Sequence, residues 1–141
     1  MDKQHVKPEY PHSELTARII AAAQEVHRTL GPGFEEVFYQ RAISKELQAD
    51  GQEHAREVWI DVYYKGEKLG RKRVDFVVDV CRVETKAKAA LEDVDYIQTL
   101  SYLKASGFEV GLLINFGGPK LEVRRLINQT AKRRDSSATS A

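Results

Sequence analysis

The sequence predicts an α/β domain with a mixed sheet flanked by helices, and three observations carry that prediction. Two segments of helical period come first, and three short strands separated by turn residues come next. After a further helical segment, Val110–Phe116 (VGLLINF) is so uniformly apolar that it reads as a strand buried on both faces. The predicted order is helix, helix, three antiparallel strands, helix, strand, strand.

Residues 1–12 are polar, contain two prolines and read as an irregular lead-in, with Ser13 placed to cap the first helix. From Glu14 to Leu30 the residues Leu15, Ile19, Ala22, Ala23, Val26 and Leu30 recur at helical spacing, and Gly31-Pro32-Gly33 ends the run. A second helix is predicted from Phe34 to Ala49, burying Val37, Phe38, Ala42, Ile43 and Leu47, with Asp50-Gly51 closing it. Glu35 and Glu36 fall in its first turn, where the helix dipole favours negative charge, and Glu36 and Tyr39 share a face.

Between Arg56 and Tyr64, Val58, Ile60 and Val62 alternate with Glu57, Trp59, Asp61 and Tyr63, the pattern of a half-buried strand. Lys65–Lys68 reads as the hairpin connection, Leu69–Val78 as the return strand and Val83–Ala87 as the third. Leu91–Ala105 is the next predicted helix, acidic at its start and closed by Ser106-Gly107. Ile97, Leu100 and Leu103 face its core side, with Gln98 and Tyr102 on an adjoining face. Leu121–Ile127 is a last strand near an edge, and the polar residues 129–141 read as a disordered tail. The domain expected is thus residues 13–128.

A chain of 141 residues holds one domain with a proper core. Charged residues make up 30% of it and balance to a net charge of +1, which argues against indiscriminate binding of nucleic acid while allowing a local basic groove. The single cysteine, Cys81, has no internal disulfide partner and, placed in a turn with no base beside it, is not read as a nucleophile. With no apolar signal core and no transmembrane run, a soluble, cytoplasmic protein that avoids membranes is expected.

The stretch Val74–Lys86 (VDFVVDVCRVETK) carries the chemistry. Glu84 and Lys86, two apart on a strand, project to one face. An even-length turn, such as Val80-Cys81, puts Asp75 opposite Lys86 and on the face of Glu84. Two carboxylates and an ammonium amid apolar residues are costly without a ligand or partner, and a divalent metal would account for them. The structural alternative is a cross-strand ion-pair network of Asp75, Glu84 and Lys86 on a solvated face.

A helix with an acidic residue, a meander with D on its second strand and E-x-K on its third, then a helix and a buried strand resembles the restriction-endonuclease-like core of the PD-(D/E)XK nuclease superfamily. More narrowly, Gly33–Tyr39 (GFEEVFY) is similar to the G-x-x-E-x-x-Y signature of a small bacterial and archaeal family within it, and residues 15–127 follow that family's blocks. Val74 stands where the superfamily's name has proline, a position without a chemical role.

The resemblance implies a metal-dependent nuclease, with DNA expected as substrate ahead of RNA. Asp75 and Glu84 match the metal-binding carboxylates, Lys86 the catalytic lysine, Glu36 the acidic residue of the core helix and Gln98 the polar residue of the following helix. Mg²⁺, or Mn²⁺ in its place, would sit on Asp75 and Glu84, with the Thr85 backbone carbonyl as a third ligand and Glu36 binding directly or through water. Lys86 would orient or deprotonate the attacking water or steady developing charge. For Glu36 the helix dipole is a sufficient alternative, for Gln98 an interhelical hydrogen bond, and Tyr39 and Tyr102 read as packing residues.

Lys65, Lys68, Arg71, Lys72 and Arg73 crowd one hairpin beside Asp75, where a nucleic acid would need phosphate contacts. No base-reading motif is present, so selectivity is expected for structure or ends rather than sequence. The rival reading is an inactive nucleic-acid- or protein-binding accessory module of the same fold. A homodimer or an accessory protein partner is compatible with a single small site that cuts one strand.

Overall fold

A computed structural model describes residues 12–129. Of the lead-in expected over residues 1–12 and the tail expected over 129–141, residues 1–11 and 130–141 lie outside the described residues. The elements run α1 (Ser13–Leu30), α2 (Glu36–Ala49), β1 (Ala55–Tyr64), β2 (Glu67–Val78), β3 (Cys81–Lys86), α3 (Asp93–Ser106), β4 (Val110–Asn115) and β5 (Glu122–Ile127). This is the predicted order. The five strands form one mixed sheet in the order β1-β2-β3-β4-β5, parallel only between β3 and β4, where α3 makes the crossover.

The first two helices pack on one face. Ile19, Ile20, Ala23 and Val26 of α1 and Tyr39, Ile43 and Leu47 of α2 close over Phe76, Val78, Cys81, Val83, Leu112 and Ile114 of the sheet. A smaller cluster on the other face joins Leu103 of α3 to Leu113 and Leu126. β4 is buried at every residue, as its apolar run predicts.

Several expectations are corrected. Ser13 is the first residue of α1 rather than its cap; His12 stands at the N-cap with φ 56° and its imidazole pairs with the Glu109 carboxylate. α2 starts at Glu36, not Phe34, and is rolled so that Tyr39, Gln40, Ile43 and Leu47 face inward while Phe38 is 47% exposed. Tyr39 sets that roll. Its ring stacks on Phe116 at 4.7 Å, and its hydroxyl donates to the Gly31 carbonyl and accepts the Phe34 N–H. In α3 the inward line is Asp95, Thr99 and Leu103, which leaves Ile97 60% exposed. A reciprocal capping box between Glu92 and Asp95 starts that helix at Asp93 rather than Leu91.

Two turns differ as well. The β1–β2 connection is the two residues Lys65-Gly66, with φ 48° and 81°, the handedness that matches the strand twist, rather than the four residues Lys65–Lys68. The β2–β3 turn is Asp79-Val80, with Asp79 at φ 53°, and Cys81 is a buried strand residue rather than a turn residue. Burying both Val78 and Cys81 is what slides the turn. The register Phe76↔Val83, Val77↔Arg82, Val78↔Cys81 then brings Asp75 opposite Glu84, two residues from the expected pairing with Lys86. Because the turn is still even, Asp75 keeps the face of Glu84.

Candidate active site

The ladder between β2 and β3 stops at Phe76 and Val83, and just beyond it side chains replace backbone partners. Asp75 Oδ2 accepts the Thr85 backbone N–H at 2.8 Å and the Thr85 hydroxyl at 2.9 Å. The same hydroxyl lies 3.1 Å from Glu36 Oε1, so two carboxylates meet one donor. Gln40, one turn after Glu36 on α2, donates its amide to both Thr85 Oγ1 at 3.0 Å and Glu36 Oε1 at 3.2 Å. Arg56 Nη2 donates to the Gln40 carbonyl oxygen at 3.3 Å, which fixes the amide's orientation. Thr85 has one hydroxyl hydrogen, and its oxygen already accepts from Gln40. The hydrogen serves Asp75 or Glu36 at any moment, not both.

On the α3 side, the Arg82 guanidinium is 1% exposed and lies 3.4 Å from Glu84 Oε1. It also donates to the Tyr102 carbonyl and to the Ser106 hydroxyl, each at 2.9 Å. The alternative of an Asp75–Glu84–Lys86 ion-pair network is therefore not what forms: the cation beside Glu84 is Arg82, not Lys86. Among the described residues Lys86 makes no hydrogen bond or contact ion pair through its ammonium, although its charge is felt by Glu36.

The electrostatics follow from this crowding. Burial, then the Asp75 charge, pushes the Glu84 carboxyl up to about 7, against the opposing pull of Arg82. Burial and Asp75 also raise Glu36, although Thr85, Lys86 and Gln40 act the other way. The Asp75 charge thus bears on both Glu36 and Glu84, and the hard oxygens of the three suit a hard divalent ion. Among the described residues no three carboxylate, imidazole or thiolate groups stand together as a finished metal cage. The Asp75–Glu84 pair instead offers two carboxylates, which fits a cation such as Mg²⁺ that keeps several waters.

The structure thus brings together Asp75, Glu84, Thr85 and Glu36, with Lys86 on the Glu84 face of β3. It does not join Gln98 to them. Gln98 is exposed on α3, one turn before Tyr102, and makes no hydrogen bond among the described residues. Lys65, Lys68, Arg71, Lys72 and Arg73 are all exposed on the β1–β2 hairpin. Sequence reasoning missed Gln40, Arg82 and the Thr85 side chain. Spacing offered a signal for the first, four residues after Glu36, but Arg82 shows only as a charge two residues before Glu84.

A family model of the PD-(D/E)XK nuclease superfamily matches residues 13–126. No curated protein matches the chain. Among solved structures, one titled "Crystal structure of SSO0001" matches with a TM-score of 0.44 at 14% identity, covering 89% of this chain and 85% of that one.

Proposed function

Because this chain belongs to the PD-(D/E)XK nuclease superfamily, whose members typically hydrolyse phosphodiester bonds, we propose that it is a divalent-metal-dependent nuclease acting at Asp75, Glu84 and Lys86. One observation carries the assignment to these residues. Asp75 is held by two donors beside a Glu84 carboxyl raised to about 7, while Lys86, on the strand of Glu84, has no carboxylate at contact distance among the described residues.

In this reading Asp75 and Glu84 hold Mg²⁺ or Mn²⁺, with the Thr85 carbonyl and Glu36 completing the set directly or through water. The bound ion supplies charge neutralisation at the phosphate and a more acidic water. The chain's own residues do the rest. Thr85 and Gln40 keep Asp75 and Glu36 from turning away, and Arg82 keeps Glu84 in place. The Lys86 ammonium, without a hydrogen-bond or ion-pair partner among the described residues, orients the attacking water or takes up negative charge developing on the phosphate. Gln98 is left to contact substrate, and Lys65, Lys68, Arg71, Lys72 and Arg73 to contact phosphates.

The finer assignments belong to the same proposal: the GxxExxY family on the strength of Gly33–Tyr39, residues 13–128 as the catalytic domain, DNA in preference to RNA, and the cytoplasm as location. No helix among the described residues is long and apolar enough to cross a membrane. The test is cleavage of labelled DNA and RNA that begins on adding Mg²⁺ or Mn²⁺ and stops with EDTA. Nucleic acid bound without turnover would select the inactive binding module instead, and turnover only with a second protein or a second copy would select the partnered forms.

A further inference from the structure

The β1–β2 hairpin outruns the rest of the sheet. β2 pairs with β3 only through Phe76, Val77 and Val78, whereas its pairing with β1 continues out to Glu67. Residues 59–73 therefore form a two-stranded ribbon beyond the sheet body. Strand alternation places Trp59, Asp61 and Tyr63 on one face, with Arg73, Arg71 and Lys68 as their partners in register. The contacts agree. The Arg71 guanidinium lies 5.2 Å from the Trp59 ring centre, Lys68 pairs with Asp61 at 3.2 Å, and the Tyr63 hydroxyl donates to Asp61 at 3.3 Å.

This face is rich in unused recognition groups. Trp59 is 55% exposed and Tyr63 52%. Lys65 lies over the Tyr64 ring, and among the described residues Lys65, Arg71 and Arg73 have no carboxylate at ion-pair distance; Lys72, the partner of Ile60, is on the opposite face, over the Tyr102 ring of α3. Along β2, Arg73 stands two residues before Asp75, about 6.6 Å along the strand, so the patch leads toward the carboxylate cluster.

We propose that this ribbon is a platform for single-stranded nucleic acid, on which unstacked bases lie against Trp59 and Tyr63 while phosphates meet Arg71, Arg73 and Lys65. It leads the strand toward Asp75 and Glu84, and in that respect it rests on the nuclease reading of the cluster. Cations alone would serve a duplex equally well, since both present phosphates. The aromatic faces decide between them. A base can stack on a protein ring only where it has left its own stack, as in single strands, flaps and frayed ends. The interleaving of rings and unpaired cations on an otherwise near-neutral chain supplies both requirements in one place.

Trp59 is the chain's single tryptophan and so reports directly on stacking. In EDTA, titration of the unaltered chain with oligo(dT) is expected to quench Trp59 fluorescence, and a duplex of equal length to do so far less. By anisotropy of labelled oligo(dT), Trp59→Ala and Tyr63→Ala should each weaken binding roughly 5- to 100-fold, with Trp59→Phe recovering part of the loss. Arg73→Ala should weaken single strand and duplex together and lower the single-strand salt slope by about 0.7. Tryptophan emission unmoved by saturating oligo(dT), equal affinity for duplex, or wild-type binding by both aromatic variants would overturn the proposal. So would an emission shift with protein concentration alone, which would assign the ribbon to a second copy of the chain. Binding is read here without turnover, so failure of the unaltered chain to cleave would count against the nuclease reading and leave these outcomes separate.

Discussion

Asp75 and Thr85 are joined twice, by the backbone N–H at 2.8 Å and the side-chain hydroxyl at 2.9 Å, both ending on Oδ2. Where the β2–β3 ladder ends, this carboxylate takes the place of a backbone acceptor. Its position is therefore built into the sheet rather than left to a free rotamer, which is what a metal-binding carboxylate requires.

Thr85→Val keeps the shape and removes the hydroxyl that serves Asp75, Glu36 and Gln40. We expect a loss of about 1–3 kcal/mol in metal-free stability, measured by urea unfolding, and a marked fall in cleavage. Thr85→Ser, which keeps the hydroxyl, should stay close to wild type in both.

Glu84 gives a pH dependence whose sign is fixed. Its carboxyl rises from 4.5 to about 7 on folding, so the folded state holds the proton more tightly than the unfolded state. The resulting stabilisation is complete below about 4.5 and is lost as pH rises through about 7. Urea unfolding in EDTA between pH 5 and 8 should show stability falling with pH, and Glu84→Gln should flatten the trend. Metal affinity, which needs the carboxylate ionised, should rise over the same range.

Arg82 is the buried counter-charge of Glu84. Arg82→Met removes its bonds to Tyr102 and Ser106 and strands a buried carboxylate, at an expected cost of about 3–5 kcal/mol. Adding Glu84→Gln to that variant should recover part of the stability without recovering cleavage, a pattern that separates support from chemistry.

Lys86→Ala should act in the opposite way. With no contact ion pair of its own among the described residues, the ammonium supports little of the fold, and the change in stability should stay within about 0.5 kcal/mol. Turnover should fall by about 10²- to 10⁴-fold, with nucleic-acid binding retained.

Most of the architecture was legible because periodicity and turn residues dominate it: the helical runs of α1 and α2, the alternating β1 and the all-apolar β4. Asp75 also keeps its expected face despite the shifted turn, since parity depends on whether the loop is even and not on where it lies. What spacing could not show is tertiary. Tyr39 rolls α2 and exposes Phe38, because its stacking partner Phe116 stands on a segment far along the chain. Arg82 enters the α3 face only because the Tyr102 carbonyl and Ser106 close around it. The Thr85 hydroxyl becomes a hub only once α2 docks on the sheet. Each of these depends on a partner distant in sequence, and no local pattern encodes it.

The most direct measurement is cleavage of labelled single-stranded, duplex and branched DNA, with RNA alongside, in Mg²⁺ or Mn²⁺, comparing the unaltered chain with Asp75→Ala and Lys86→Ala. A nuclease acting at Asp75, Glu84 and Lys86 gives metal-dependent products that disappear in both variants while binding in EDTA persists. Products unchanged by either substitution, or no products on any substrate, would contradict it.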